Sequence, residues 1–261
     1  MSVTALPTRP VGQLLRDWRE RRRLSQLELS NQAEISTRHL SFVETGRSRP
    51  TPEMIIRLSE HLNVPLRERN LLLLAGGYAP AYPQHGLDEP ELASVRTALR
   101  LVLSGHEPCP ALMINRWWEL LDANAAVGVI TAGCAPRLLE PPVNVLRLSL
   151  HPDGMAPRIA NLAQWRAHLL GQVRRRAGET GDERLGELHD ELADYPGGTD
   201  STLPPSNVVL PLRLRHETGE LSFFSIAAKV ETAGDVTVDE LTIESFYPAD
   251  LETTRRLRAL V

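Results

Sequence analysis

QLELSNQAEISTRHLSFVETGRSRP, residues Gln26–Pro50, holds two short helical patterns joined by a tight turn. Ser25-Gln26-Leu27-Glu28 places a serine three residues before a glutamate, the reciprocal capping box that opens a helix. Leu27, Leu29 and Ala33 form its expected inner face. A turn at Glu34–Ile35 follows, and Ser36 can cap the next helix, whose last turn ends at Gly46. Working outward, Val11–Leu24 puts Leu14, Leu15 and Trp18 on one helical face. Thr51-Pro52-Glu53 supplies a cap, a proline at the first helical position and an acid in the first turn. Pro65 opens a fifth helix that carries Leu71 to Leu74 toward the core. Five short helices therefore make an all-α domain over residues 8–76.

Charge sets this stretch apart. Residues 1–76 carry 12 Arg against 8 Asp and Glu, a net of +4, while the rest has 17 basic and 25 acidic residues, a net of −8. A basic segment on an acidic chain suggests a polyanion partner confined to it, the alternative being a chance fluctuation of surface charge. A short helix, a tight turn and a second short helix is also the arrangement that inserts a helix into a DNA major groove.

The same stretch resembles the helix-turn-helix of the phage-repressor/Cro-like (XRE) family, with the likeness running from about Val11 to Ala75. Its most specific parts are Gln26, the segment STRHLSFVETG, and Glu44 followed by Gly46. The resemblance implies binding to double-stranded DNA. Gln26, at a helix N-terminus, can clamp a phosphate. Ser36, Thr37, Arg38 and His39 fall in the first turn of the recognition helix, with Arg38 suited to a bidentate contact to guanine. Thr37 and Phe42 offer apolar contact to a thymine methyl, and Arg47 and Arg49 offer phosphate contacts. The alternatives are a core residue at Phe42 and a merely exposed His39. Arg19 and Glu44 look like the family's internal ion pair and are read as structural.

AGGYAPAYPQHG, Ala75–Gly86, breaks both helix and strand, so a linker is placed at 77–90 and a second domain at 91–261. In it, Leu87–Gly105 reads as an amphipathic helix with Leu92, Val95, Leu99 and Val102 inward. A hairpin turning near Asn115–Arg116 ends at Asn124 as a helix cap. The β-like runs 208–215 and 221–230 flank a turn at His216–Gly219, and a last strand is expected over Val236–Phe246 with Glu240 and Glu244 outward. Together these give an α+β domain, an antiparallel sheet with helices on one side, in a PAS-like order. From about Leu92 the chain resembles the MmyB-like ligand-binding domain, through PALMINRWWELLDANAAV, NVLRLSLHPDGMAPRIANLAQW and IESFYPADLETTRRLRAL. That resemblance implies a one-component regulator whose pocket takes a small, fatty-acid-like molecule.

Asn144, Arg147 and His151, at i, i+3 and i+7, could present hydrogen bonds and a permanent charge to a carboxylate. Trp117 and Trp165 would supply an apolar wall. Alternatively, the polar trio braces the junction before Pro152 and the tryptophans are core. An arginine lacking an internal carboxylate partner would favour the ligand reading. No phosphate loop, nucleophile elbow or His-rich metal spacing occurs, so no catalysis, metal or cofactor is expected, and His189-Asp190-Glu191 do not share a helical face. Two cysteines, Cys109 and Cys134, fit a reducing cytoplasm without a disulfide framework. No apolar run reaches membrane-spanning length and no secretory signal opens the chain. The expectation is a cytoplasmic homodimer that binds DNA and a small-molecule effector, away from membranes. A ligand-free interaction module is the alternative for its second domain.

Overall fold

The computed structural model describes residues 9–198, 200 and 209–260; Thr8, Val208 and Val261, ends of expected segments, lie outside them. The chain divides into two units, one holding the described residues up to His85 together with Glu231–Asp239, the other Gly86–Val230 with Glu240–Val261.

The first unit has α1 (Val11–Arg21), α2 (Gln26–Gln32), α3 (Thr37–Glu44), α4 (Pro52–His61) and α5 (Leu66–Ala75). Local chemistry explains their starts. Ser25 Oγ accepts from the Glu28 amide at 3.1 Å while the Ser25 amide donates to the Glu28 carboxylate at 2.7 Å. Ser36 and Thr51 cap α3 and α4 one way, each hydroxyl oxygen accepting from the amide three residues on, at His39 and Met54. Leu15, Trp18, Leu29, Leu40, Ile55 and Leu72 fill the core. Leu27, expected inward, is 59% exposed, because so short a helix can bury only the stripe carrying Leu29 and Ala33.

Gly12 sets the approach of α1 to α3: a Cβ there would lie 2.0 Å from the Val43 carbonyl oxygen. Gly12→Ala is therefore expected to displace the recognition helix and destabilise the unit by about 1–3 kcal/mol. Thermal denaturation checks this, and an unchanged melting point would contradict the close approach.

Residues Glu231–Asp239 pack within the same unit. His85 donates its amide to Asp235 at 3.1 Å, the Val236 amide reaches Pro83 O at 2.9 Å, and the Leu66 amide reaches the Asp239 carboxylate at 3.3 Å. This segment corrects the expected Val236–Phe246 strand. Asp235 Oδ1 accepts from the Thr237 amide at 2.8 Å, and the N-cap overrides the β-branched composition to start a helix at Val236.

The second unit opens with a 3-10 turn at Pro90–Leu92 and α6 (Ala93–Ser104), followed by β1 (Ala111–Ile114), β2 (Leu120–Ala123) and α7 (Val127–Thr131). Then come α8 (Val145–Leu150), α9 (Leu162–Thr180), α10 (Glu183–Asp194), β3 (Leu212–His216) and β4 (Gly219–Ala228). The helix in the packed segment is α11 (Val236–Glu240), and β5 (Thr242–Pro248) and α12 (Leu251–Leu260) end the chain. The sheet order is β2-β1-β5-β4-β3, antiparallel throughout, which makes the domain α+β and PAS-like.

Strand alternation assigns the two faces. Leu112, Ile114, Phe223 and Phe246 join the main core with α8, α9 and α10, whereas Ala111, Met113 and Ile243 meet Leu99 and Leu103 of α6. Helices thus cover both faces rather than one. Val102, expected inward, is 53% exposed and Leu103 is buried instead. Asn124 caps no helix: its carbonyl accepts from the Ala111 amide at 3.0 Å, and its amide donates to Leu103 O and Cys109 O at 3.1 and 2.8 Å.

Candidate DNA-binding face and ligand cleft

On the recognition helix α3, Arg38 is exposed and Phe42 half-buried, with the Arg38 and Arg47 guanidiniums 5.3 and 5.9 Å from the Phe42 ring. This gives a cationic surface with an apolar centre, suited to base edges and phosphates. Ser36 spends its hydroxyl on the cap, accepting from the half-buried His39 at 3.1 Å, and Thr37 shares a 2.8 Å hydrogen bond with Ser30. The Gln26 side-chain amide donates to Glu44 at 2.7 Å, which fixes its orientation and leaves a second N–H. Glu44 also receives Arg19 Nε and Nη2 at 2.7 and 2.9 Å, and Arg19 Nη1 reaches Leu24 O at 2.9 Å. Arg49 turns back, donating to Gly76 O at 2.8 and 3.2 Å and lying 5.1 Å over Tyr78. Its geometry holds the end of α5, whereas Arg47, also exposed, makes no such bond among the described residues.

The five residues singled out for a ligand do not converge. Asn144 caps α8, accepting from the Leu146 and Arg147 amides at 3.1 Å and donating to Trp117 O at 2.8 Å. Arg147 pairs with Glu191, Nη2 to Oε2 at 2.7 Å and Nε to Oε1 at 2.8 Å. That hydrogen-bonded pairing raises the arginine's pKa and lowers the glutamate's, while burial first, and then the hydrogen bond to Glu191, push the Tyr195 hydroxyl up to about 12 against the opposing charge of Arg147. His151 Nδ1 accepts from the Asp153 amide at 2.9 Å, and its ring meets Tyr195 edge-on at 5.2 Å. Trp117 donates to Asp182 at 2.9 Å and packs under Arg184. Asn144, Arg147 and His151 brace the ends of α8. Trp165, in turn, lines a cavity.

That cavity is a cleft of about 790 Å³ between α9 and the inner sheet face, bounded among others by Trp118, Trp165, His168, Arg176, Thr242 and Glu244. A smaller apolar chamber of about 190 Å³, walled by residues such as Leu112, Ile130, Leu148, Leu169 and Phe246, shares Trp165 and Glu244 with it. Trp165 donates to Ser149 at 3.0 Å and stacks on His168. Burial, followed by the charge of Arg175, lowers the pKa of His168 and favours its neutral form. Trp118 sits at φ +60°, a left-handed conformation that a bulky residue holds only when its surroundings impose it. The Arg176 guanidinium lies 4.8 Å over its ring.

Arg176 is the half-buried cation of the cleft, whose other two cations, Arg175 and Lys229, are exposed. Among the described residues no carboxylate comes within ion-pairing distance of it. Burial and then the neighbouring Arg116 lower its pKa, against weaker support from Glu240 and Glu179. Arg116 has already taken Glu240, at 2.9 Å, and Asp182, at 3.2 Å. Glu240 is thus buried rather than outward. Glu244, also expected outward, faces the cleft, and burial holds its carboxyl above the usual carboxylate range, partly offset by the Ser225 hydroxyl. A signal for Arg176 was present: Trp165, Leu169, Val173 and Arg176 follow one helical stripe at steps of 4, 4 and 3. Alternation with Phe246 likewise aims Thr242 and Glu244 inward.

A helix-turn-helix unit followed by a PAS-like sheet domain with a ligand-sized cleft defines a class, the DNA-binding transcription regulators that carry a ligand-binding domain. Residues 15–69 match the helix-turn-helix family model. Residues 95–260 match the MmyB-like transcription regulator ligand binding domain, and the chain belongs to that family. No curated protein matches it. Among solved structures it is similar to one described as the structure of an RNA-binding Light-Oxygen-Voltage receptor, at 13% identity and a TM-score of 0.26. That similarity covers 97% of this chain, which spans 64% of the receptor's length.

Proposed function

We propose that this regulator binds operator DNA as a homodimer in the cytoplasm, and that its DNA affinity changes when an amphiphile of the fatty-acid class occupies the cleft. The anionic head lies against Arg176 and the tail enters the apolar chamber. The observation that carries this reading is Arg176 itself, a guanidinium without a carboxylate partner among the described residues, beside an apolar chamber. It meets the criterion that Arg147, paired with Glu191, does not. For dimerisation the support is the outer sheet face, where Phe224 stacks on exposed Tyr247 at 5.5 Å beside exposed Ile226. Two-fold symmetry then places half-sites about one helical turn apart. By linkage the amphiphile must bind the DNA-competent and DNA-incompetent states unequally.

The test uses a duplex selected from a random library and fluorescence anisotropy with and without decanoate. Wild-type protein is expected to change its Kd for the duplex by at least about 5-fold, a typical coupling. Arg176→Ala is expected to keep the basal Kd and lose the response. A wild type indifferent to decanoate, or an equal response in the variant, would overturn the reading.

A further inference from the structure

We propose that the effector carries a second hydrogen-bonding group along its chain, a hydroxyl or oxo group received by Thr242 and Glu244, so that the cleft selects a hydroxylated or oxo acid over the plain acid of equal length. This rests on the reading of the cleft as an amphiphile site and names the amphiphile more narrowly.

Three observations lead there. Thr242 is 7% exposed and belongs to the wall of the cleft, and its buried hydroxyl has no hydrogen-bond partner among the described residues. Buried hydroxyls are rarely left so, because each loses its water without compensation. Glu244, two residues on, shares the face, and its cross-strand neighbours are Leu112 and Ala227, neither of which can pair with it. Among the described residues, the hydrogen bond from Ser225 opposes the effect of burial on that carboxyl. Burial pushes that carboxyl above the usual carboxylate range; it accepts hydrogen bonds in either state and donates one when protonated. Finally, Glu244 and Trp165 belong to the wall of both chambers. A molecule with its head at Arg176 and its tail in the apolar chamber must therefore pass them.

The chemistry of that passage decides the ligand. A bare methylene chain would strip water from the Thr242 hydroxyl and the Glu244 carboxyl and return nothing. A ligand hydroxyl can donate to the Glu244 carbonyl oxygen and accept from Thr242, and an oxo group can accept from both. An ammonium is disfavoured, because Arg175, Arg176 and Lys229 already line the cleft, set against Glu179, Asp200 and Glu244, with His168 favouring neutrality.

Isothermal titration of the full chain with decanoate, with hydroxydecanoates bearing the hydroxyl at successive carbons from 2 to 6, and with the corresponding oxo acids tests this. At least one substituted acid is expected to bind about tenfold or more tighter than decanoate. Glu244→Gln, which keeps a donor and an acceptor, should retain that preference, and Glu244→Leu combined with Thr242→Val should abolish it. Decanoate binding as tightly as every substituted acid overturns this inference and leaves the amphiphile reading standing. Binding of none of them overturns both. A preference that survives in the Leu/Val variant overturns the assignment to Thr242 and Glu244. The wild-type series needs no variant to fold, so it decides the matter even if the double variant does not.

Discussion

Replacing Glu44 by alanine is expected to cost the helix-turn-helix unit about 3–5 kcal/mol, the usual loss when one partner of a buried ion pair is removed. Both side chains are buried, at 1% exposure for Glu44 and 9% for Arg19. Deleting the carboxylate leaves the Arg19 guanidinium with its bond to Leu24 O and a longer, 3.7 Å approach to the exposed Glu20, and also releases the Gln26 amide. Three charge-assisted hydrogen bonds vanish at once. Arg19→Met combined with Glu44→Leu should recover much of the loss, since apolar groups of similar volume replace buried pairs at little net cost. Thermal melts of the two variants separate the cases. If Glu44→Ala melts within about 1 kcal/mol of wild type, the pair belongs with weak surface bridges and its bracing role is wrong.

What the sequence made legible is what short-range chemistry specifies. The Ser25–Glu28 box, the Ser36 cap and Thr51-Pro52 lie within four residues of what they stabilise, and α2, α3 and α4 start where those signals put them. The surroundings of Arg147 were not legible for the opposite reason: the spacing of Asn144, Arg147 and His151 describes one helix, whereas the partner that pairs with Arg147 is Glu191, 44 residues on. Arg176 and Glu244 look like ordinary charges on a helix and a strand, and only the stripe and the alternation around them reveal inward orientation. The helix at Val236 hides in β-branched residues because one aspartate cap outweighs their preference. Fold class survives such errors, since it depends on many elements. A binding site depends on a few long-range juxtapositions that periodicity does not encode.

Raising monovalent salt from 50 to 200 mM is expected to weaken DNA binding by about 10³-fold, given roughly six phosphate contacts across a dimer. The logarithmic slope of about −0.9 per contact follows from counterion release. Individual side chains then separate by role. Arg47→Ala removes an exposed cation stacked on Phe42, so affinity should fall alike for all sequences and the slope lose about one unit. Gln26→Ala should also weaken every site equally, with less effect on the slope, since it carries no charge. Arg38→Ala should instead relax base preference at one position, worth about 1–3 kcal/mol. Arg49→Ala is different in kind. Its guanidinium already holds Gly76 O, so its loss should appear first in the melting curve of the unit. A salt response near zero, or Arg38→Ala and Arg47→Ala lowering affinity identically on every sequence, would contradict the division of labour between base reading and phosphate clamping. The sequence dependence of Arg38→Ala is the more telling of the two results, because any basic surface yields a salt slope but only a side chain in the groove can tell one base from another.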